Sequence, residues 1–150
     1  MIKKWLIIFG LIIVSIVLVV FFKGRTDKGY DYKESDSGFT YSEDEGSLKV
    51  SYTKNPDFGI NVYPNSTPVE ENSSANVELV GQNMVVGSYK TSDSEDEVVN
   101  YFIKQIPNSK SGEIIDFQGK NATIISASDS STAVMVKRDG IETTIVIIKI

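Results

Sequence analysis

The densest cluster of side chains able to do chemistry is Asp93-Ser94-Glu95-Asp96-Glu97, which sets four carboxylates and a hydroxyl in five consecutive residues. Hard oxygen ligands of this kind suit Ca²⁺, but the run has neither the glycine nor the twelfth-position glutamate of an EF-hand loop. It stands directly before Val98-Val99-Asn100-Tyr101-Phe102-Ile103-Lys104-Gln105-Ile106, and Ser94 with Glu97 has the Ser-x-x-Glu spacing of a capping box. Carboxylates there complement the positive end of a helix dipole. The run is therefore read as a helix start, and Glu43-Asp44-Glu45 as a solvated turn.

Absences settle most of the remaining chemistry. The chain contains no His and no Cys, which removes Ser-His-Asp and Cys-His catalysis, His-ligated zinc and thiolate sites. Ser–Lys and paired-carboxylate mechanisms survive in principle, yet no Ser-x-x-Lys opens the expected helix, and Ser94 is already spent on the cap. No Gly-x-Gly-x-x-Gly or phosphate-loop pattern occurs. The expectation is a protein that is not an enzyme, with no catalytic, cofactor-binding or metal-ligating residue and no cofactor. Tyr30, Tyr32, Tyr41, Tyr52 and Tyr63, with Phe39 and Phe58, could form an aromatic platform for glycans or peptides; half-buried strand packing explains them more simply. Asn65-Ser66-Thr67, Asn72-Ser73-Ser74 and Asn121-Ala122-Thr123 match the glycosylation sequon and support surface exposure only.

These residues need a scaffold, and the patterning supplies one. Val98, Val99, Phe102, Ile103 and Ile106 make one apolar helix face, which Pro107-Asn108 closes. Strand-like runs flank it at Asn76–Val80, Asn83–Lys90, Gly112–Phe117, Ala122–Ala127, Thr132–Lys137 and Ile141–Ile150. Asp139-Gly140 reads as a tight type I′ hairpin turn, and Gly119-Lys120-Asn121 and Ser128-Asp129-Ser130-Ser131 as longer connections. Ile145-Val146-Ile147-Ile148 is apolar on both faces and should be central in the sheet, or else cover a partner surface. The fold class expected is α+β: one N-terminal transmembrane helix, then a small domain with one amphipathic helix packed on a mainly antiparallel sheet.

Three regions follow. Residues 1–28 read as a membrane anchor of signal-anchor type. Its uncharged span, residues 5–22, would make a helix of about 27 Å, against a hydrocarbon core of about 30 Å. Fifteen of those eighteen residues are Leu, Ile, Val or Phe, and Val19-Val20-Phe21-Phe22-Lys23 offers no small-x-small cleavage site. Basic residues flank the run on both sides, so charge gives little orientation; the cysteine-free, polar remainder places the carboxy-terminal domain outside the cytoplasm. Residues 29–57 read as a polar tether, with a weak hairpin formed by Phe39-Thr40-Tyr41 and Leu48-Lys49-Val50-Ser51-Tyr52 that either docks or frays. Residues 58–150 form the extracytoplasmic α+β domain.

The segments Tyr63-Pro64-Asn65-Ser66, Thr91-Ser92-Asp93-Ser94 and Val98-Val99-Asn100-Tyr101-Phe102 with Ile106-Pro107 carry a resemblance. Over roughly residues 58–150 the chain resembles small exported or membrane-anchored prokaryotic proteins with a "VYPxA…TSDS…VVxFYxxxLP" pattern. Ser66 stands where that pattern has Ala, and Phe102 where it has Tyr. The resemblance implies a helix on a sheet and brings no established activity, so it assigns no catalytic residue.

Beyond Lys28 there are 19 acidic and 10 basic residues, a net charge of −9. Such a surface repels nucleic acid and anionic headgroups and leaves basic partners and cations open. The partners expected are the membrane, through residues 5–22, and a protein of unknown identity, with no nucleic acid. The leading function is a single-pass membrane protein presenting an acidic, non-catalytic interaction or structural domain outside the membrane. The alternative is a ligand- or cation-binding sensor or accessory domain.

Overall fold

The computed structural model describes residues 31–43, 46–115 and 120–150. They form one antiparallel sheet of ten strands with a single helix. In chain order the strands are β1 (Asp31–Ser35), β2 (Gly38–Glu43), β3 (Gly46–Tyr52), β4 (Thr67–Pro68), β5 (Ser74–Leu79) and β6 (Gln82–Thr91), followed by helix α1 (Glu95–Gln105). β7 (Lys110–Ile115), β8 (Asn121–Ser126), β9 (Thr132–Asp139) and β10 (Glu142–Lys149) complete the chain. The spatial order is β1-β2-β3-β5-β6-β10-β9-β8-β7, with β4 pairing on β6 beside β5.

This order follows from two meanders joined at the middle. The first runs outward to inward through β6; the second starts at the far end with β7 and returns inward to β10, which pairs with β6. α1 makes the crossover between them and packs over β8 and β9. The all-apolar segment Ile145–Ile148 accordingly sits in a central strand, paired on both sides.

The register explains which residues are buried. Ser74, Gly87, Ile147, Val134 and Ile125 lie in one cross-strand row, and Tyr89, Ile145, Val136 and Thr123 in the next, all on the face that carries α1. Val98 and Phe102 of α1, Ile106 at its end, and Phe58 and Tyr63 from the β3–β4 connection close over these rows. Val98 and Phe102 are completely buried, whereas Val99 is half-buried and Ile103 exposed, so the helix face that packs is narrower than the pattern Val98, Val99, Phe102, Ile103, Ile106 suggests. Gly87 is required here because a Cβ would stand 2.5 Å from the Phe58 ring and 2.9 Å from the Ser74 hydroxyl. On the opposite face Phe39, Val50, Val77 and Met84 form a row of direct cross-strand partners across β2, β3, β5 and β6, and all four are buried.

The expected fold class needs correction. Among the described residues the chain is a mainly antiparallel sheet with one short helix rather than the expected α+β domain, and no helix there is long and apolar enough to cross a membrane. The membrane and transmembrane assignment rested on residues 5–22, which lie outside the described residues, and nothing described supports it. The sheet also begins earlier than the sequence suggests. Residues 31–52, expected as a polar tether with a weak hairpin, form three strands that join the sheet through β3 and β5. The reason is that their alternation is one-sided: Phe39, Leu48 and Val50 all point to one face, so the segment is polar on average yet buries a full apolar row.

Candidate functional site

Two polar constellations stand on this scaffold. The first is the junction between β6 and α1, where the acidic run lies. Thr91 ends β6 buried, and its hydroxyl accepts from the Asp93 N–H at 3.2 Å. Ser94 is the N-cap. Its Oγ accepts from the Glu97 N–H at 3.3 Å, its own N–H donates to Glu97 Oε2 at 2.9 Å, and its hydroxyl donates to the same oxygen at 2.7 Å. The capping box read from Ser94 and Glu97 is thus present.

The carboxylates of the run point to different partners. Asp93 Oδ2 accepts from the Tyr63 hydroxyl at 2.7 Å and from Asn65 Nδ2 at 3.1 Å, Glu95 Oε1 accepts from the Thr123 hydroxyl at 2.8 Å, and Glu97 is held by Ser94. Arg138 fastens the junction from below. Its Nη1 donates to the carbonyls of Asp93 at 2.7 Å and Ser92 at 3.3 Å and to Thr143 Oγ1 at 3.0 Å, while Nη2 donates to the Ile141 carbonyl at 3.2 Å. Thr143, the cross-strand partner of Arg138 and wholly buried, donates its hydroxyl to the Asp93 carbonyl at 2.7 Å.

The electrostatics agree with a clamp. The Tyr63 hydroxyl is pushed up to about 12, first by its hydrogen bond to Asp93, then by burial and by the charge of that carboxylate. Asp93 is held below the usual carboxylate range by the donors Tyr63 and Asn65, and Glu97 by the Ser94 hydroxyl and backbone N–H. A carboxylate made more acidic is a poorer general base, and the Ser94 and Glu97 contacts are those of the helix cap. Among the described residues no group of three or more Asp or Glu side chains is placed to hold a metal ion. The sequence presents Asp93–Glu97 as one cluster; the fold separates its members.

The tyrosines divide in a similar way. Tyr63 is buried against the helix, its ring edge-on to Tyr101 with centroids 5.2 Å apart, and Phe58 meets Tyr89 edge-on at 6.2 Å. Tyr41 and Tyr52 lie by register on the face opposite Tyr89, so these rings share no single platform. Tyr30 and the side chain of Tyr32 lie outside the described residues.

The second constellation is a groove of about 520 Å³ at the end of the helix-bearing face, lined by the polar Lys49, Ser51, Asn76, Glu78, Asn83 and Lys149 and by the apolar Val77, Met84, Val85 and Ile150. Register builds it: Lys49, Glu78 and Asn83 lie in one cross-strand row, and Ser51, Asn76, Val85 and Lys149 in the next. These rows continue the face that holds Gly87 and Ile147, just where the apolar core ends. Gly59 stands beside the Lys149 side chain. Its φ is +68°, its N–H donates to Asp57 Oδ1 at 2.9 Å, and a Cβ there would stand 3.4 Å from Lys149 Nζ. Among the described residues, Lys49, Asn76, Glu78, Asn83 and Lys149 make no side-chain hydrogen bond or ion pair. The groove is therefore the reverse of the junction, with donors and acceptors unspent.

Sequence reasoning missed the groove because its residues come from four strands. The available signal was weak: the outward positions of Lys49-x-Ser51 and Asn76-x-Glu78 alternate with buried Val50 and Val77. Comparison with protein-family models, curated proteins and solved structures gives no match, so the resemblance to exported prokaryotic proteins gains no family.

Proposed function

We propose that this is an acidic, non-catalytic interaction domain working outside the cytoplasm, which receives an extended basic segment of a partner protein on strand β7. One observation carries this reading. β7 ends the sheet among the described residues; Lys110–Glu113 and Ile115 are exposed, Ile115 at 72%. A six-residue strand with an open edge offers a row of backbone donors and acceptors that an incoming strand can pair, which is how β-augmentation gives affinity. The net charge of −9 beyond Lys28 selects a basic segment and disfavours nucleic acid.

The non-catalytic part of the proposal is supported by the junction, where Ser94 and Glu97 cap α1 and Tyr63, Asp93, Glu95, Thr123 and Thr143 tie its start to the rest of the domain. Placement outside the cytoplasm is supported by the cysteine-free, Ser-, Thr- and Asn-rich composition, and protease accessibility of a carboxy-terminal epitope in intact cells tests it.

The edge is tested by site-specific photocrosslinking from Ser111 in cells, with G112K/I115K for comparison. A Cβ at Gly112 meets no atom within 4 Å, so the double variant adds edge charge without disturbing the fold. The expected result is a discrete protein adduct that the double variant loses while its circular dichroism spectrum and melting temperature are unchanged. An adduct that survives the charged edge, or no adduct from Ser111, overturns the proposal.

A further inference from the structure

We infer that the groove beside Gly59 is a binding site for an acidic sugar, a ligand that carries both carboxylates and hydroxyls. This inference stands on the sheet face and does not depend on the β7 edge.

Three observations converge. Lys49 and Lys149 are the cations of a groove within a strongly acidic domain, and neither ammonium is neutralised by an ion pair among the described residues. They sit on β3 and β10, three strand spacings apart, or about 14 Å between backbones. Their side chains can therefore meet carboxylates at two ends of an extended ligand rather than converge on one phosphate. Between them the lining offers mixed donors and acceptors: the amides of Asn76 and Asn83, the Ser51 hydroxyl and the Glu78 carboxylate. Such groups match a run of hydroxyls, each of which donates and accepts.

Glu78 also decides against a polyphosphate. It stands directly across from Lys49 in the register and between Lys49 and Asn83 in their row, so a densely charged anion would meet its carboxylate. A sugar hydroxyl instead donates to it. The groove has no aromatic ring among its lining residues, only the aliphatic Val77, Val85 and Ile150 and Met84 beside the polar groups, so charge and hydrogen bonding supply the discrimination, and a neutral sugar of the same size lacks the contacts to the lysines.

The test is amide chemical-shift titration of the isotope-labelled full chain with digalacturonate, using cellobiose as the neutral probe of equal length. Digalacturonate is expected to shift the amides of Lys49, Asn76, Asn83 and Lys149 with a dissociation constant below about 10 mM, and cellobiose to leave them unmoved. K49Q and K149Q, with the fold of each checked by its amide spectrum away from the groove, should each weaken binding about tenfold, the effect of losing one charge-assisted contact. Equal binding of the two sugars, shifts confined to other residues, unaltered affinity in both lysine variants, or no saturable shift at all would each overturn the inference.

Discussion

A single hydroxyl–carboxylate contact shows how this molecule uses its ionisable residues. Tyr63 is buried in the core, and its hydroxyl reaches Asp93 at the mouth of the helix, 30 residues along the chain. Because the bond favours neutral tyrosine and charged aspartate, it moves the two groups apart: Tyr63 from 10.0 up to about 12, Asp93 downward from 3.8. The folded state holds its proton on Tyr63 more tightly than the unfolded chain does, so this stabilisation is complete below pH 10 and is lost as pH rises toward 12. Asp93 works in the opposite sense. Its contribution is complete above pH 3.8 and is lost as pH falls through the lowered folded value. Y63F should therefore lower the urea midpoint at neutral pH and flatten the alkaline limb of a stability–pH curve. Part of the acid limb should persist, because Asn65 still donates to Asp93. Equal alkaline loss in Y63F and in the original chain would show that the destabilisation arises elsewhere.

The elements were legible in unequal measure, and the turns show why. The β5–β6 hairpin closes with Val80 and Gly81 at φ +48° and +77°, both in the left-handed region that a type I′ turn needs. A β-branched residue is unfavourable there by about 1–2 kcal/mol, and Val80 is 69% exposed, so no packing offsets the strain. V80N, which makes the favoured Asn-Gly pair, should raise stability by about 1 kcal/mol and increase the melting temperature; an unchanged or lower value would mean the turn is not strained. Sequence reading missed this turn because Val80 looked like the end of a strand. It placed the last hairpin one residue early. Asp139 pairs with Glu142, so the two loop residues are Gly140 and Ile141, and only Gly140 has positive φ, at +63°. That pattern belongs to type II′ rather than type I′. Asp-Gly and Gly-Ile are both plausible turn dipeptides taken alone. Burial chose between them, since a one-residue slip would turn Thr143, Ile145 and Ile147 away from α1. Where all the determinants are local, as in the Ser94–Glu97 capping box, the sequence was enough.

At the scale of the whole molecule the determinants are least local, and the limits of the domain follow from them. Residues 31–52 carry few aliphatic side chains, and an average over that window resembles a spacer; alternation puts those few on one face, where pairing with β5 completes a sheet-wide apolar row. The groove escaped notice for the same reason, since its polar residues become neighbours only when β3, β5, β6 and β10 align. A truncation beginning at Phe58 tests this dependence. It would open the edge of β5 and remove Phe39, Leu48 and Val50 from beside Val77 and Met84. At about 1.5–3 kcal/mol for each buried side chain, the loss is about 5–9 kcal/mol, comparable to the entire stability of a typical domain. The truncation should therefore lack a cooperative urea transition and associate through its exposed strand, while a chain beginning at Asp31 unfolds in one step as a monomer. Size-exclusion chromatography with circular dichroism separates these outcomes. If the chain from Phe58 to Ile150 unfolded cooperatively at the same urea midpoint as the longer one, β1–β3 would be an appendage, and the groove would lose Lys49 and Ser51 without losing its floor.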